Sequence, residues 1–194
     1  VGDLLLARHG ETEWSRAGRH TGRTDLPLTP AGEAQAESLA PLLAGRTFGL
    51  VLTSPLARAR RTAGLAGLAG AVEEPDLREW DYGGYEGITT ADVHRTRPGW
   101  DLWTDGVPPG REFPGESPQQ VGERADRVLS RVAGALDEGD VMLVAHGHLL
   151  RVLTARRLGL PPTAGRLFRL ETGTLSRLSL EHGSPVVAEW NTRP

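Results

Sequence analysis

The sequence predicts an α/β protein, a three-layer α/β/α sandwich around a mostly parallel central sheet. Two short apolar runs end in a His-Gly step, Leu4-Leu5-Leu6-Ala7-Arg8-His9-Gly10 and Val141-Met142-Leu143-Val144-Ala145-His146-Gly147. Runs of that length with polar exits read as strands covered on both faces by helices. Between them, apolar runs alternate with helical periodicity in a β-α-β-α rhythm, as expected for parallel strands joined by crossover helices.

The elements follow in order. Residues 4–7 form the first strand. Residues 11–28 are polar, include Gly18 and Gly22, and read as a long loop at a strand exit, a usual place for function. Thr29-Pro30 starts a helix with Ala34, Leu39, Leu42 and Leu43 mainly on its apolar face, and Gly45 ends it. Residues 50–53 form a second strand. Ser54-Pro55 opens a helix with Pro in its first turn, and residues 58–69 continue it. Val72 marks a short strand before Leu77-Arg78-Glu79-Trp80. Residues 83–117, rich in Gly, Pro and Trp and holding a short helix near 90–95, read as a cap-like insertion in one domain spanning 1–194. Trp100 and Trp103 are spaced for one helical face and suit anchoring that insertion at least as well as touching ligand. Ser117-Pro118 starts the longest helix, whose apolar face is Val121, Ala125, Val128, Leu129, Val132 and Leu136, and Gly139 stops it. Residues 141–145 form a strand, 148–158 a helix, and 175–180 and 186–190 two edge strands.

Composition narrows the function. The 194 residues carry a formal net charge of -3, which gives no global positive field for nucleic acid or an anionic membrane. All 22 basic residues are Arg, so a Schiff-base lysine and a P-loop lysine are both excluded. There is no Cys, hence no disulfide, thiolate nucleophile or Cys-ligated zinc. The apolar opening is too short for a signal peptide or a membrane span, and the expected location is cytoplasmic.

Open α/β sheets place reactive groups just beyond the carboxyl ends of their strands, so His9 and His146 are expected to share one crevice. Arg8, Arg58 and Arg151 make that crevice cationic and suited to phosphate. A phosphate monoester repels an incoming nucleophile. A catalyst must neutralise its oxygens, attack in line and protonate the leaving alkoxide. Neutral His9 suits the attack, through a phosphohistidine. Arg8, Arg58 and His146 suit the oxygens, helped by N–H groups of the helix after His146. Glu79 suits the proton transfer, provided that its carboxyl is partly buried and protonated often enough at working pH. Trp80 and Tyr82 supply apolar walls.

Four segments, in order, carry a resemblance: Arg8-His9-Gly10-Glu11-Thr12, Thr53-Ser54-Pro55-Leu56-Ala57-Arg58-Ala59, Leu77-Arg78-Glu79-Trp80 with Tyr82-Gly83, and Ala145-His146-Gly147-His148. The chain resembles the histidine phosphatase (phosphoglycerate mutase-like) superfamily from residue 4 to about residue 155. The 12–29 stretch is similar to the branch holding sedoheptulose-1,7-bisphosphatase and small bacterial acid phosphatases. The resemblance implies His9 as the phosphorylated nucleophile, Glu79 as proton donor and acceptor, and Arg8, Arg58 and His146 as the phosphate pocket. Tyr82, Ser54, His20 and Arg151 fall where the branch contacts substrate, and Ser15, Thr21, Gly22, Gly147 and His148 complete the candidate substrate-binding set. His148 also reads as a helix-start residue bonding locally. Two positions depart from the pattern: Ser15 stands where mutases have Asn, and His20 where the bisphosphatase type has an aromatic hydroxyl.

The expected activity is therefore a metal-independent, cofactor-free acid phosphatase acting on a small phosphorylated sugar or acid, with a mildly acidic optimum. A homodimer is the family-level expectation. Three alternatives stand beside it. A cofactor-dependent phosphoglycerate mutase needs a bisphosphate primer. A metallo-phosphoesterase on His146 and His148 is opposed by the arginines, which repel a cation. A phosphate-binding module without turnover is opposed by the presence of both His9 and Glu79.

Overall fold

All six strands that the sequence marks join one sheet in the computed structural model, which describes residues 1–68 and 70–193. The chain runs β1 (Leu4–Arg8), α1 (Glu13–Arg16), α2 (Pro30–Leu43), β2 (Phe48–Thr53), α3 (Ala57–Leu65), β3 (Val72–Glu73), α4 (Thr90–Thr96) and α5 (Leu102–Asp105). It continues with α6 (Pro118–Glu138), β4 (Asp140–Ala145), α7 (Gly147–Arg157), β5 (Leu175–Glu181) and β6 (Ser184–Thr192). The sheet order is β3-β2-β4-β1-β5-β6, with the first four strands parallel, β5 antiparallel to β1, and β6 antiparallel to β5.

Alternation along the strands builds the two faces. Leu4, Leu6, Val141 and Leu143 pack with Val128 and Val132 of α6 and Leu149 and Leu153 of α7. Leu5, Ala7, Met142 and Val144 pack on the other side with Leu39 and Leu43 of α2 and Ala59 and Ala63 of α3. The neighbouring parallel strands β1 and β4 thus send their following helices to opposite faces, which opens a crevice at their carboxyl ends. Their register, Leu4 opposite Val141 through Arg8 opposite Ala145, brings the two ends level.

Several local expectations are corrected. The second helix begins at Ala57, not at Pro55, because Leu56 stays extended and Asp25 of the 11–28 loop accepts the Ala57 N–H at 2.8 Å. It ends at Leu65; Gly67 has a positive φ of 77°, and Ala69, the expected end, lies outside the described residues. The buried face of α2 is Gly32, Ala36, Leu39 and Leu43, with Ala34 exposed. The 11–28 loop contains α1, capped reciprocally by Thr12 and Ser15. β5 is interior rather than an edge, because it pairs with both β1 and β6. The 83–117 stretch buries Val93, Trp100, Leu102 and Trp103 in the same core as α6 and α7.

Candidate active site

His9 and His146 leave adjacent strand ends, with ring centroids 5.1 Å apart. The His9 N–H continues the ladder to the Ala145 carbonyl at 3.0 Å. The His9 ring is buried, and its Nδ1–H donates to the Gly10 carbonyl at 2.7 Å, so the free lone pair is on Nε2. Gly10 is held in turn, its N–H donating to Thr62 Oγ1 at 3.1 Å. Burial, with Arg58 and Arg8 beside the ring, holds His9 well below the ordinary imidazole range. The ring is therefore neutral near pH 7. His146 is pushed the same way, by burial first and then by Arg58, His9 and Arg8. Ser54 Oγ accepts the Leu56 N–H at 3.3 Å and lies within hydrogen-bond distance of His146 Nε2, at 2.7 Å.

Arg8 and Arg58 reach the crevice from different elements. Arg8 ends β1 and donates from Nη1 to the Leu170 carbonyl at 2.6 Å. Its guanidinium lies against the start of α7, where a Cβ on Gly147 would stand 3.1 Å from Cζ, so glycine suits that position. Arg58, on α3, has 0% exposure and donates to the carbonyls of Thr24, Thr21 and Gly22 at 2.9, 3.1 and 2.9 Å. Arg8 Nε, Arg58 Nε and His146 Nδ1 are buried without a partner among the described residues. A buried guanidinium N–H left unpaired costs about 1–3 kcal/mol, a cost that an anion accepting from Arg8 and Arg58 would relieve.

Glu79 sits at the start of α7. Its carboxylate accepts the N–H groups of Leu149 (2.9 Å), His148 (3.0 Å) and Trp80 (2.9 Å). The expected burial is met, since Glu79 is 5% exposed. The carboxylate takes two of the helix-start N–H groups that the sequence reading assigned to phosphate, leaving that of Gly147.

These residues surround a cavity of about 230 Å³. Arg8, His9, Ser15, His20, Thr21, Glu79, Tyr82, Gly147, His148 and Arg151 line it. Arg58, His146, Ser54 and Gly22 are not among the lining residues. Ser54 serves the ring of His146, and Gly22 gives its carbonyl to Arg58 and its N–H to Glu86 at 2.9 Å. Ser15 caps α1, its hydroxyl donating to the Thr12 carbonyl at 3.0 Å. His20 is braced by Tyr85 and Thr90, at 3.2 and 3.4 Å. Tyr82 hydrogen-bonds His148, and Arg151 lies 4.7 Å over the Trp103 ring while donating to the Gly165 carbonyl. Burial raises Tyr82 well above the phenol range, and burial with Arg151 nearby lowers His148.

Sequence reasoning misses Gly18, Arg19, Thr90 and Leu170 on the wall, and Glu86, which accepts the Gly22 N–H. It also misses Arg124, although the signal is present: a charged residue set between Val121 and Val128 on the buried stripe of α6.

The histidine phosphatase superfamily (branch 1) model matches residues 4–193. The chain is 41% identical over 187 residues to an acid phosphatase of Mycobacterium tuberculosis, covering 93% of this chain and 87% of that relative. It is 37% identical over 188 residues to sedoheptulose 1,7-bisphosphatase of Saccharomyces cerevisiae, covering 80% of this chain and 67% of that relative. The solved structure of an open reading frame product from Mycobacterium tuberculosis superposes with a TM-score of 0.93 at 39% identity, covering 99% of this chain and 98% of that one.

Proposed function

This chain belongs to the histidine phosphatase superfamily and hydrolyses phosphomonoesters, and on that footing we propose that His9 is the nucleophile that takes the phosphoryl group. The observation that carries this reading is the buried His9 ring, with Nδ1–H tied to Gly10 and Nε2 free beside two arginines. Nε2 attacks phosphorus. As the N–P bond forms, the ester P–O bond breaks and the Glu79 carboxyl gives its proton to the leaving oxygen. In the second step water gives a proton to the Glu79 carboxylate and its oxygen attacks phosphorus. The N–P bond breaks, releasing phosphate and neutral His9. Arg8, Arg58, His146 and the N–H of Gly147 take the phosphoryl oxygens, which draws on the three unpaired nitrogens.

The substrate in this reading is a small phosphorylated sugar or acid. A cavity of about 230 Å³ suits a small molecule, and the groups beyond His9 are polar or cationic: Arg151, Arg19, His20, Thr21, Thr90 and His148. Ser54 and Gly22 act in it as supports of His146 and Arg58. The enzyme works without metal in this reading, because Arg8 and Arg58 oppose a cation at the phosphate position. The reading carries a mildly acidic optimum, which a pH profile of kcat/KM checks. Residues 83–117 form the cap of a single domain, and a cytoplasmic homodimer completes the proposal, checked by fractionation and light scattering.

The test is phosphate release from sugar phosphates, phosphoglycerates and an aryl phosphate, with a chelator present, for the native chain and His9→Ala. Release unaffected by chelator and lost in the variant is the expected result. Release that needs added metal would refute the metal-free reading. Retained turnover in His9→Ala would refute the nucleophile.

A further inference from the structure

The segment that carries Glu79 is held by a largely buried ion pair that the reaction does not use. Arg124 is 7% exposed, and its guanidinium has all five N–H donors engaged. Nη1 donates to the carbonyls of Asp76 and Arg78 at 2.7 and 2.8 Å. Nη2 donates to the Glu79 carbonyl at 3.2 Å and to Glu116 Oε2 at 2.8 Å, and Nε donates to Glu116 Oε1 at 2.7 Å. Glu116 closes the grip on the other side of Glu79. Its Oε2 accepts the Asp81 N–H at 2.8 Å, its carbonyl accepts Trp80 Nε1–H at 2.8 Å, and its own N–H donates to the Asp81 carbonyl at 2.9 Å.

We propose that Glu116 and Arg124 are positioning residues for proton transfer, holding the backbone on both sides of Glu79 so that its carboxyl meets the leaving oxygen. This rests on the reading of Glu79 as the proton donor. Residues 78–81 lie outside any helix or strand, so no ladder of their own holds them. The neighbouring pair of Arg127 with Asp76 is largely exposed on its arginine side and is a weak restraint. Glu116 also lies 3.7 Å from Arg23, in the loop whose carbonyls hold Arg58. One carboxylate therefore ties the proton donor to the support of the phosphate-binding arginine.

A proton donor matters most for a poor leaving group, because a nitrophenolate departs without protonation whereas a sugar alkoxide does not. The experiment compares kcat/KM for a sugar phosphate and a nitrophenyl phosphate in native protein, Arg124→Lys, Glu116→Gln, Glu79→Gln and the double variants with Glu79→Gln. Glu79→Gln should lower the sugar phosphate rate about 100-fold or more and the aryl rate far less. Arg124→Lys and Glu116→Gln should each lower the sugar phosphate rate about tenfold, with the aryl rate within about threefold of native, as expected when a group is misplaced rather than lost. In the Glu79→Gln background neither should have further effect, because the group through which they act is gone.

Equal losses on both esters, or losses that multiply in the double variants, would overturn the inference while leaving Glu79 as the donor. If Glu79→Gln itself affects both esters equally, the donor reading falls and the inference with it. Glu116→Gln keeps the side-chain volume and an acceptor for Asp81, so it carries the test if Arg124→Lys does not fold.

Discussion

Taking this protein from pH 7 to pH 5 should lower its stability through His9 and His146, by up to about 2 kcal/mol for each ring. Both rings are buried, and burial with Arg58 close by holds both well below the ordinary imidazole range. In the unfolded chain they titrate near 6.5. Below that pH the unfolded state binds protons that the native rings refuse. The contribution is therefore intact above about 6.5 and is lost as the pH falls, until the native rings protonate in place. A ring that stays neutral in the native state loses about 2 kcal/mol between pH 7 and 5, which gives up to about 4 kcal/mol for two. That is a large part of the roughly 5–15 kcal/mol of a typical domain. His148 and His20 shift in the same direction and add to the loss. Carboxylates such as Asp3 and Asp76 do not enter this window, because unfolded Asp titrates near 3.9. Urea unfolding followed by Trp fluorescence, in phosphate-free buffer at pH 7, 6 and 5, measures the effect. With a slope of about 2 kcal/mol per molar urea, the midpoint should fall by up to about 2 M. In His9→Ala the fall should be smaller by up to about 1 M, the share of one ring. A midpoint that holds steady from pH 7 to 5 would show that the rings protonate in the native state, and the account of a neutral His9 would fail.

Two further outcomes follow from the packing of the crevice. Gly147→Ala places a Cβ 3.1 Å from Arg8 Cζ, so the guanidinium must move. Competitive inhibition by inorganic phosphate should weaken by up to about tenfold, as one charge-assisted hydrogen bond is strained, and unchanged inhibition would refute the idea that this contact sets the Arg8 position. Thr62→Val keeps the volume but leaves the buried Gly10 N–H beside His9 without an acceptor. Thermal or urea unfolding should show a loss of about 1–3 kcal/mol, and native-like stability would mean that another group takes up the bond.

Much of the site is legible along the chain because the signals are local. An apolar run with a His-Gly exit names His9 and His146 as strand-end residues wherever their strands go. The capping sequence of Ser117-Pro118 locates the longest helix. Other assignments depend on where a side chain points, which spacing within a segment does not say. Ser54 and Gly22 lie on the right segments, yet Ser54 turns to His146 and Gly22 to Arg58 and Glu86. Glu79 reads as a carboxyl among arginines, whereas its partners are backbone N–H groups 69 and 70 residues away.

By itself the sequence determines the order and kind of the elements, the two strand-end histidines and the cationic character of their surroundings. Periodicity, caps and residue chemistry are properties of neighbours in the chain, so a linear reading recovers them. Only the tertiary structure decides that β4 inserts beside β1, that the start of α7 holds Glu79, and that Arg124 and Glu116 close around it. Those outcomes depend on which apolar faces cover each other and which buried donors find acceptors, and both are settled across the fold rather than along the chain.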